Sequence, residues 1–336
     1  MKKALTFAAA VCGISWMAAL LFHLSTGYGG PESGVAAAKS YTTFATLYMF
    51  LPMLVALVLR LISGESSFKR RGINIRVSID VNSPMMRFRP RWSWLVGVLL
   101  VPLAVGLSIL FSALFNPIVA PTEGMLALMA ASGAGELPAE ATEQMNQLSD
   151  GVLILGTLLS GLAAGVTINA LFAYGEEYGW RYHMVEALRG HKFLPSALLI
   201  GAVWGIWHAP LILMGHNGYS DRWVGILMMT LFCVLMGILE LYFVCKSGTM
   251  WPAALMHGTV NALAGFALIV VPGGDTLLTG MTGLAGAMAL VVVIALVALY
   301  DCYISRERIF CNTLGTSLGR HAAPSGASEA TETISR

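Results

Sequence analysis

The sequence predicts an all-α fold: a polytopic membrane bundle of about eight transmembrane helices with both termini cytoplasmic. Three observations carry this expectation. Hydrophobic residues fill 57% of the 336 positions and charged residues only 11%, whereas a soluble globular domain carries roughly 25% charge. Eight apolar runs reach the length of about 20 residues that a bilayer core requires: 4–25, 42–63, 93–115, 152–174, 194–214, 223–245, 251–272 and 277–300. The basic residues collect in alternate connections, the pattern by which cytoplasmic loops set orientation.

Span 1 follows Lys2 and Lys3. It is longer than a secretory signal core of about 7–15 residues, and no small-x-small cleavage site follows it, so it is expected to be a retained helix. The connection from span 2 to span 3 holds Arg60, Lys69, Arg70, Arg71, Arg76, Arg87, Arg89 and Arg91. It reads as a cytoplasmic loop meeting anionic headgroups, not as a nucleic-acid surface. The connection from span 3 to span 4 has Glu123, Glu136, Glu140, Glu143 and Asp150 and no Lys or Arg. It belongs outside and leaves room for a short surface helix. Arg189 and Lys192, then Lys246, then Arg306 and Arg308 return the later connections to the cytoplasmic side.

The chain therefore divides into 1–116 (spans 1–3 with the basic loop), 117–150 (an acidic extracytoplasmic loop), 151–272 (a helical core), 273–303 (the last span) and 304–336 (a cytoplasmic tail expected to be disordered). The five cysteines form no CxxC pair, which excludes a cysteine zinc site and a disulfide framework. No internal repeat and no soluble domain is evident.

Polar residues inside apolar spans then mark a site, because ionisable groups at membrane depth are costly and face a bundle interior or a wet cavity. "FAYGEEYGWRYHM", residues 172–184, puts Glu176 and Glu177 at the predicted cytoplasmic end of span 4. Neighbours on a helix point about 100° apart, so the two cannot serve one centre equally. Glu177 and Arg181 are four apart and can pair, which leaves Glu176 to face a cavity. Span 5 carries Trp204 and His208 at the same spacing, and span 7 carries His257 and Asn261. A carboxylate and a neutral imidazole can share and activate a water. A second histidine and an amide can donate to a developing oxyanion. Glu240 is expected to snorkel toward the interface near Lys246. His183 is expected past the membrane edge, and Tyr178 and Trp180 read as interfacial aromatics.

These three stretches, "EEYGWR", "WGIWH" and "HGTVN", resemble in order the motifs of the type II CAAX-protease and bacteriocin-processing (ABI, or CPBP) intramembrane protease family. The resemblance covers residues 150–265. Trp204 stands where phenylalanine is common, which preserves an aromatic wall. The resemblance implies an intramembrane endopeptidase acting near the cytoplasmic membrane face, with 151–272 as its catalytic core. Glu176 and His208 would activate water, His257 and Asn261 would form the oxyanion hole, and Glu177, Arg181 and Trp204 would support them. The implied partners are the bilayer and a peptide or membrane-protein substrate, lipidated in some members. The implied place is a bacterial cytoplasmic membrane.

No cofactor is expected. The alternative within the same class is a zinc enzyme with Glu176, His208 and His257 as ligands, a normal catalytic set drawn from separate helices because HExxH is absent. A different class is a non-enzymatic scaffold or self-immunity protein that keeps the fold and binds through its cavity. A transporter is disfavoured by the missing inverted repeat and by polar groups crowded toward one side.

Overall fold

A computed structural model describes residues 1–30, 33–63, 83–131, 143 and 147–321. The basic positions Lys69, Arg70, Arg71 and Arg76, the acidic positions Glu136 and Glu140, and the tail from 322 onward lie outside the described residues. Among the described residues the chain is helical, with no strand beyond one isolated bridge. Eight helices are long and apolar enough to cross a membrane. They are span 1 (Lys2–Thr26), span 2 (Ala36–Ile62), span 3 (Trp92–Ser112), span 4 (Asp150–Ala187), span 5 (Phe193–Leu213), span 6 (Arg222–Ser247), span 7 (Trp251–Val270) and span 8 (Leu284–Ser305). A short helix, Pro121–Ala131, occupies the acidic connection as expected.

Local chemistry sets the ends of these helices. The Asp221 carboxylate accepts from the backbone N–H groups of Trp223 and Val224 at 2.8 and 3.0 Å and starts span 6. Gly248, at φ 76°, ends it in the left-handed conformation that glycine adopts without strain. Span 4 runs on to Ala187, well past the predicted end at 174. Its polar stretch is enclosed by other helices and not solvated, so the helix has no reason to stop there. Two π-helical turns, Gly165–Asn169 and Tyr178–His183, flank the acidic pair. Such turns are frequent at functional sites.

The outer surface is lined by apolar side chains such as Leu21, Leu54, Leu99, Leu155, Leu171 and Leu296, all exposed. Lipid is the solvent that makes this acceptable. Between helices, with lipid as apolar as the side chains, packing relies on close backbone approach at small residues. A Cβ on Gly201 would come within 2.5 Å of Val234 Cα, and one on Gly205 within 2.3 Å of Thr230 Cα. These two glycines let span 5 lie directly on span 6. That contact fixes the depth of Trp204 and His208 on the same helix.

The connections gather at two ends. At one end the Ser220 hydroxyl donates to Asp275 at 2.7 Å, Asn116 Nδ2 to the Pro272 carbonyl at 3.2 Å, and Arg222 to the Gly29 carbonyl at 2.8 Å. At the other, Thr249 Oγ1 donates to the Met85 carbonyl at 3.0 Å, and Lys246 pairs with Glu307 at 2.6 Å. The expected disorder of the tail does not begin at 304. Phe193 N donates to the Asn312 carbonyl at 2.9 Å, and the helix Leu314–Gly319 buries Leu314 and Leu318 against the basic end. Two apolar side chains at a four-residue spacing give this segment a face to bury.

The substitution Gly205→Val should force spans 5 and 6 apart. Overpacking of this kind costs about 1–3 kcal/mol, so the thermal midpoint in detergent should fall. Gly106→Ala, where an added Cβ meets nothing within 4 Å, should leave that midpoint unchanged.

Candidate active site

Three spans, 4, 5 and 7, bring the polar residues of the sequence motifs together. Glu176 is 2% exposed. Its Oε2 accepts from the Trp204 indole N–H at 2.7 Å and from the Trp180 indole N–H at 3.4 Å. Its Oε1 receives no hydrogen bond from a described side chain, which leaves that oxygen for a water or a substrate group. Trp180 is therefore not an interfacial aromatic. It is fully buried, with its ring edge-on to Phe7 at 5.6 Å, and it serves as a second donor to the carboxylate.

Glu177 faces the other way, as neighbours on a helix must. Its Oε1 accepts from Arg181 Nη1 at 3.0 Å and from His257 Nδ1 at 2.9 Å. Arg181 is fully buried, and its other Nη pairs with Glu240 of span 6. Its guanidinium also lies over the Trp204 ring, 4.4 Å from the centroid. Glu240 thus departs from the expected snorkelling position: it is fully buried, and Lys246 is paired with Glu307 instead. The chain Glu240–Arg181–Glu177–His257 ties spans 4, 6 and 7 together through charge-assisted bonds.

His208 Nδ1 lies 2.9 Å from the Trp204 carbonyl. A carbonyl only accepts, so this bond puts the ring proton on Nδ1 and leaves Nε2 as a lone-pair acceptor. The Glu177 carboxylate accepts from Nδ1–H of His257 and turns Nε2 of that ring outward. Asn261, one turn beyond His257, is exposed and makes no side-chain hydrogen bond among the described residues. Glu176, Trp204, His208, His257 and Asn261 all line one cavity of about 500 Å³. His183 is buried on span 4, its ring 4.8 Å from that of Phe7. It does not line this cavity.

Two features were not legible from the motifs. Spans 1 and 2 build part of the site. Ser15 Oγ accepts from Trp207 Nε1 at 2.8 Å, and the Tyr48 hydroxyl donates to the Trp207 carbonyl at 3.2 Å. Tyr41 and Tyr48 also line the cavity. The second is His216, just beyond span 5, whose Nδ1 lies 3.1 Å from the Tyr41 hydroxyl. Burial pushes its pKa down to about 4, so at neutral pH this ring sits uncharged in the cavity wall.

Glu176 lies eleven residues from Ala187, and Trp204 lies eleven from Phe193, about 16 Å along each helix at 1.5 Å per residue.

One trio among the described residues brings ligand-type atoms within 4.8 Å of one another: Glu177, Glu240 and His257. This is not the set Glu176, His208 and His257 expected for zinc. The Arg181 guanidinium already bridges both carboxylates of the observed trio. A dication added there would meet that fixed positive charge, so this trio does not fit a zinc site.

Fold and site together define an integral membrane protein with a buried glutamate–histidine centre in a helical bundle. Residues 149–263, which hold every motif residue above, match the family model for type II CAAX prenyl endopeptidase Rce1-like proteins. Spans 1–3 and 8 fall outside the match. No curated protein matches the chain.

Removal of one partner from a buried ion pair costs about 3–5 kcal/mol. Arg181→Ala, which strands two carboxylates, should therefore sharply lower the yield of folded protein and its thermal midpoint. Glu240→Gln keeps a hydrogen-bond partner for Arg181 and should cost less. Equal stability of Arg181→Ala and the native protein would contradict the bracing role.

Proposed function

We propose that this chain is an intramembrane endopeptidase that hydrolyses a peptide bond with water activated by Glu176. The observation that carries the reading is convergence: a carboxylate, two imidazoles and an amide from three spans share one cavity. A peptide or protein segment in the membrane is the substrate class in keeping with the family match.

Each side chain then has a definite task. Water lies between Glu176 Oε1 and the Nε2 lone pair of His208, which orients it. Glu176 removes a proton as the water oxygen bonds to the scissile carbonyl carbon. His257 Nε2 and Asn261 Nδ2 donate to the oxygen that gains charge; a single donor of this kind typically supports about 10²–10³ in rate. The tetrahedral intermediate collapses, the C–N bond breaks, and the proton held by Glu176 passes to the departing nitrogen. The products are a carboxylate and an amine, and Glu176 is restored.

The two indole N–H groups fix the Glu176 carboxylate before substrate arrives, so little reorganisation is needed during the reaction. Glu177 and Arg181 do not touch substrate in this scheme. They hold His257 in one orientation, with Nδ1–H on Glu177 and a second proton on Nε2 to donate. We propose a metal-independent reaction, because the cation that balances the acidic cluster is Arg181.

The test compares membrane peptides from cells carrying the native chain with those from cells carrying Glu176→Gln at equal expression. Uncut peptides should accumulate in the variant, and His208→Ala should accumulate the same set. On purified protein with such a peptide, Glu176→Gln should lower turnover by 10²-fold or more, the order expected for loss of a general base. Identical processing in both strains would leave a non-enzymatic binding role. Turnover should survive a strong chelator, and activity lost to chelation and restored by zinc would sink the metal-free scheme.

A further inference from the structure

We infer that the cavity receives its substrate from the extracytoplasmic side of the membrane, as an extended segment of a membrane-anchored or exported polypeptide lying in the outer leaflet. The inference rests on the peptidase reading for what the cavity does. Its sidedness rests on geometry and charge alone.

The cavity has a floor and a mouth. Glu176 and His257 are deep. From them the lining climbs along span 7 to Gly265, along span 5 to His216 and Asn217 past its end, along span 2 to Tyr41, and across to Thr282 in the connection to span 8. Each of these outer residues lies at one end of the bundle, the end where residues 27–30, 113–120, 214–221 and 271–283 meet. The bonds Ser220–Asp275 (2.7 Å), Tyr219 hydroxyl to the Thr282 carbonyl (3.0 Å) and Tyr41–His216 (3.1 Å) tie that end together. Among the described residues none of the opposite end lines the cavity.

The charge on the two ends is very unequal. Lys39 and Arg222 are the cations in or beside the connections at the mouth end, which also carries Glu123, Asp150, Asp221 and Asp275. Among the described residues the opposite end carries Lys2, Lys3, Arg87, Arg89, Arg91, Arg189, Lys192, Arg306 and Arg308. Basic connections stay cytoplasmic, so the mouth faces out. The expected cytoplasmic access is therefore reversed: the motifs begin near the basic end of span 4, but the space they line extends away from it.

The walls identify the chemistry of the occupant. Trp204, Trp207, Phe232, Tyr48 and Val260 present apolar and aromatic surface above the polar floor. Thr42 of span 2 and Asn261 of span 7 both line the cavity and are both exposed, so the wall between these spans is open on its flank. An extended chain with apolar side chains can slide in from the outer leaflet and set one peptide carbonyl beside Glu176.

Sidedness is read by thiol labelling of intact cells with a membrane-impermeant maleimide, on the full chain with its natural cysteines replaced. Ser220→Cys at the mouth, with Leu278→Cys as second reporter should the first fail to fold, should label from outside. Arg89→Cys should label only after permeabilisation. The reverse pattern, or label on Arg89→Cys in intact cells, overturns the inference. The same variants are read in a Glu176→Gln background, where no turnover is needed. If the labelling holds while Glu176→Gln alters no peptide, the peptidase reading fails and the sidedness stands; if the labelling reverses, the sidedness fails whatever the activity.

Discussion

The Arg181 guanidinium is the group on which the rest of the site depends. It is buried in the bundle between Glu177 and Glu240 and stacked on Trp204. A lone buried cation would not be tolerated, and neither would two buried carboxylates. Together they form a compact cluster that spans 4 and 6 must meet in one register to complete. His257 adds span 7 to that register through Glu177. A planar fork of donors suits this bridge better than a lysine ammonium, since two carboxylates and an aromatic face are engaged at once. The positions of His257 and Trp204, and through Trp204 of Glu176, are consequences of where this cation is held.

Adjacent glutamates divide two jobs that conflict. A carboxylate bound to a guanidinium and an imidazolium-type donor is a good anchor and a poor base, because those cations stabilise its charge and Oε1 is taken up by both. A carboxylate held at one oxygen by two neutral indoles keeps its second oxygen free. Helical geometry forces this division: side chains 100° apart cannot reach the same partners. The two tryptophans come from different places, Trp180 one turn along span 4 and Trp204 across on span 5. Their bulk also excludes lipid and bulk water from the floor, which strengthens each hydrogen bond made there.

Much of this was legible in the sequence, for physical reasons that can be named. The span count follows from apolar length. The four-residue spacings Glu177–Arg181, Trp204–His208 and His257–Asn261 each predict a shared helix face, and a charged group in an apolar span predicts an enclosed partner. Lys246, six residues on, points the sequence reading of Glu240 to the interface, but the partner of Lys246 is Glu307, distant in sequence. The better signal was depth: Glu240 sits eighteen residues into a 26-residue helix with apolar neighbours on both sides. Trp180 was misread because position alone cannot tell an interfacial indole from a buried donor. The contributions of Ser15, Tyr41, Tyr48 and His216 left no periodic signal, because they depend on how separate helices pack.

The boundary of the family match separates two layers of the site. Residues 149–263 contain the floor, with every group that would touch the scissile bond. Part of the mouth lies outside that stretch: Tyr41, Thr42 and Tyr48 come from span 2, and Thr282 from the connection to span 8. Chemistry at the floor needs only a fixed carboxylate, two imidazoles and an amide, and these constrain a handful of positions on spans 4, 5 and 7. Admission depends on the shape of the upper walls and on which way the bundle sits in the bilayer, and that orientation is set by loop charges far from the site. A shared floor therefore carries the reaction from one protein to another without carrying the substrate. The likeness within 149–263 bears on how a peptide bond would be cut, and the surrounding helices decide whose.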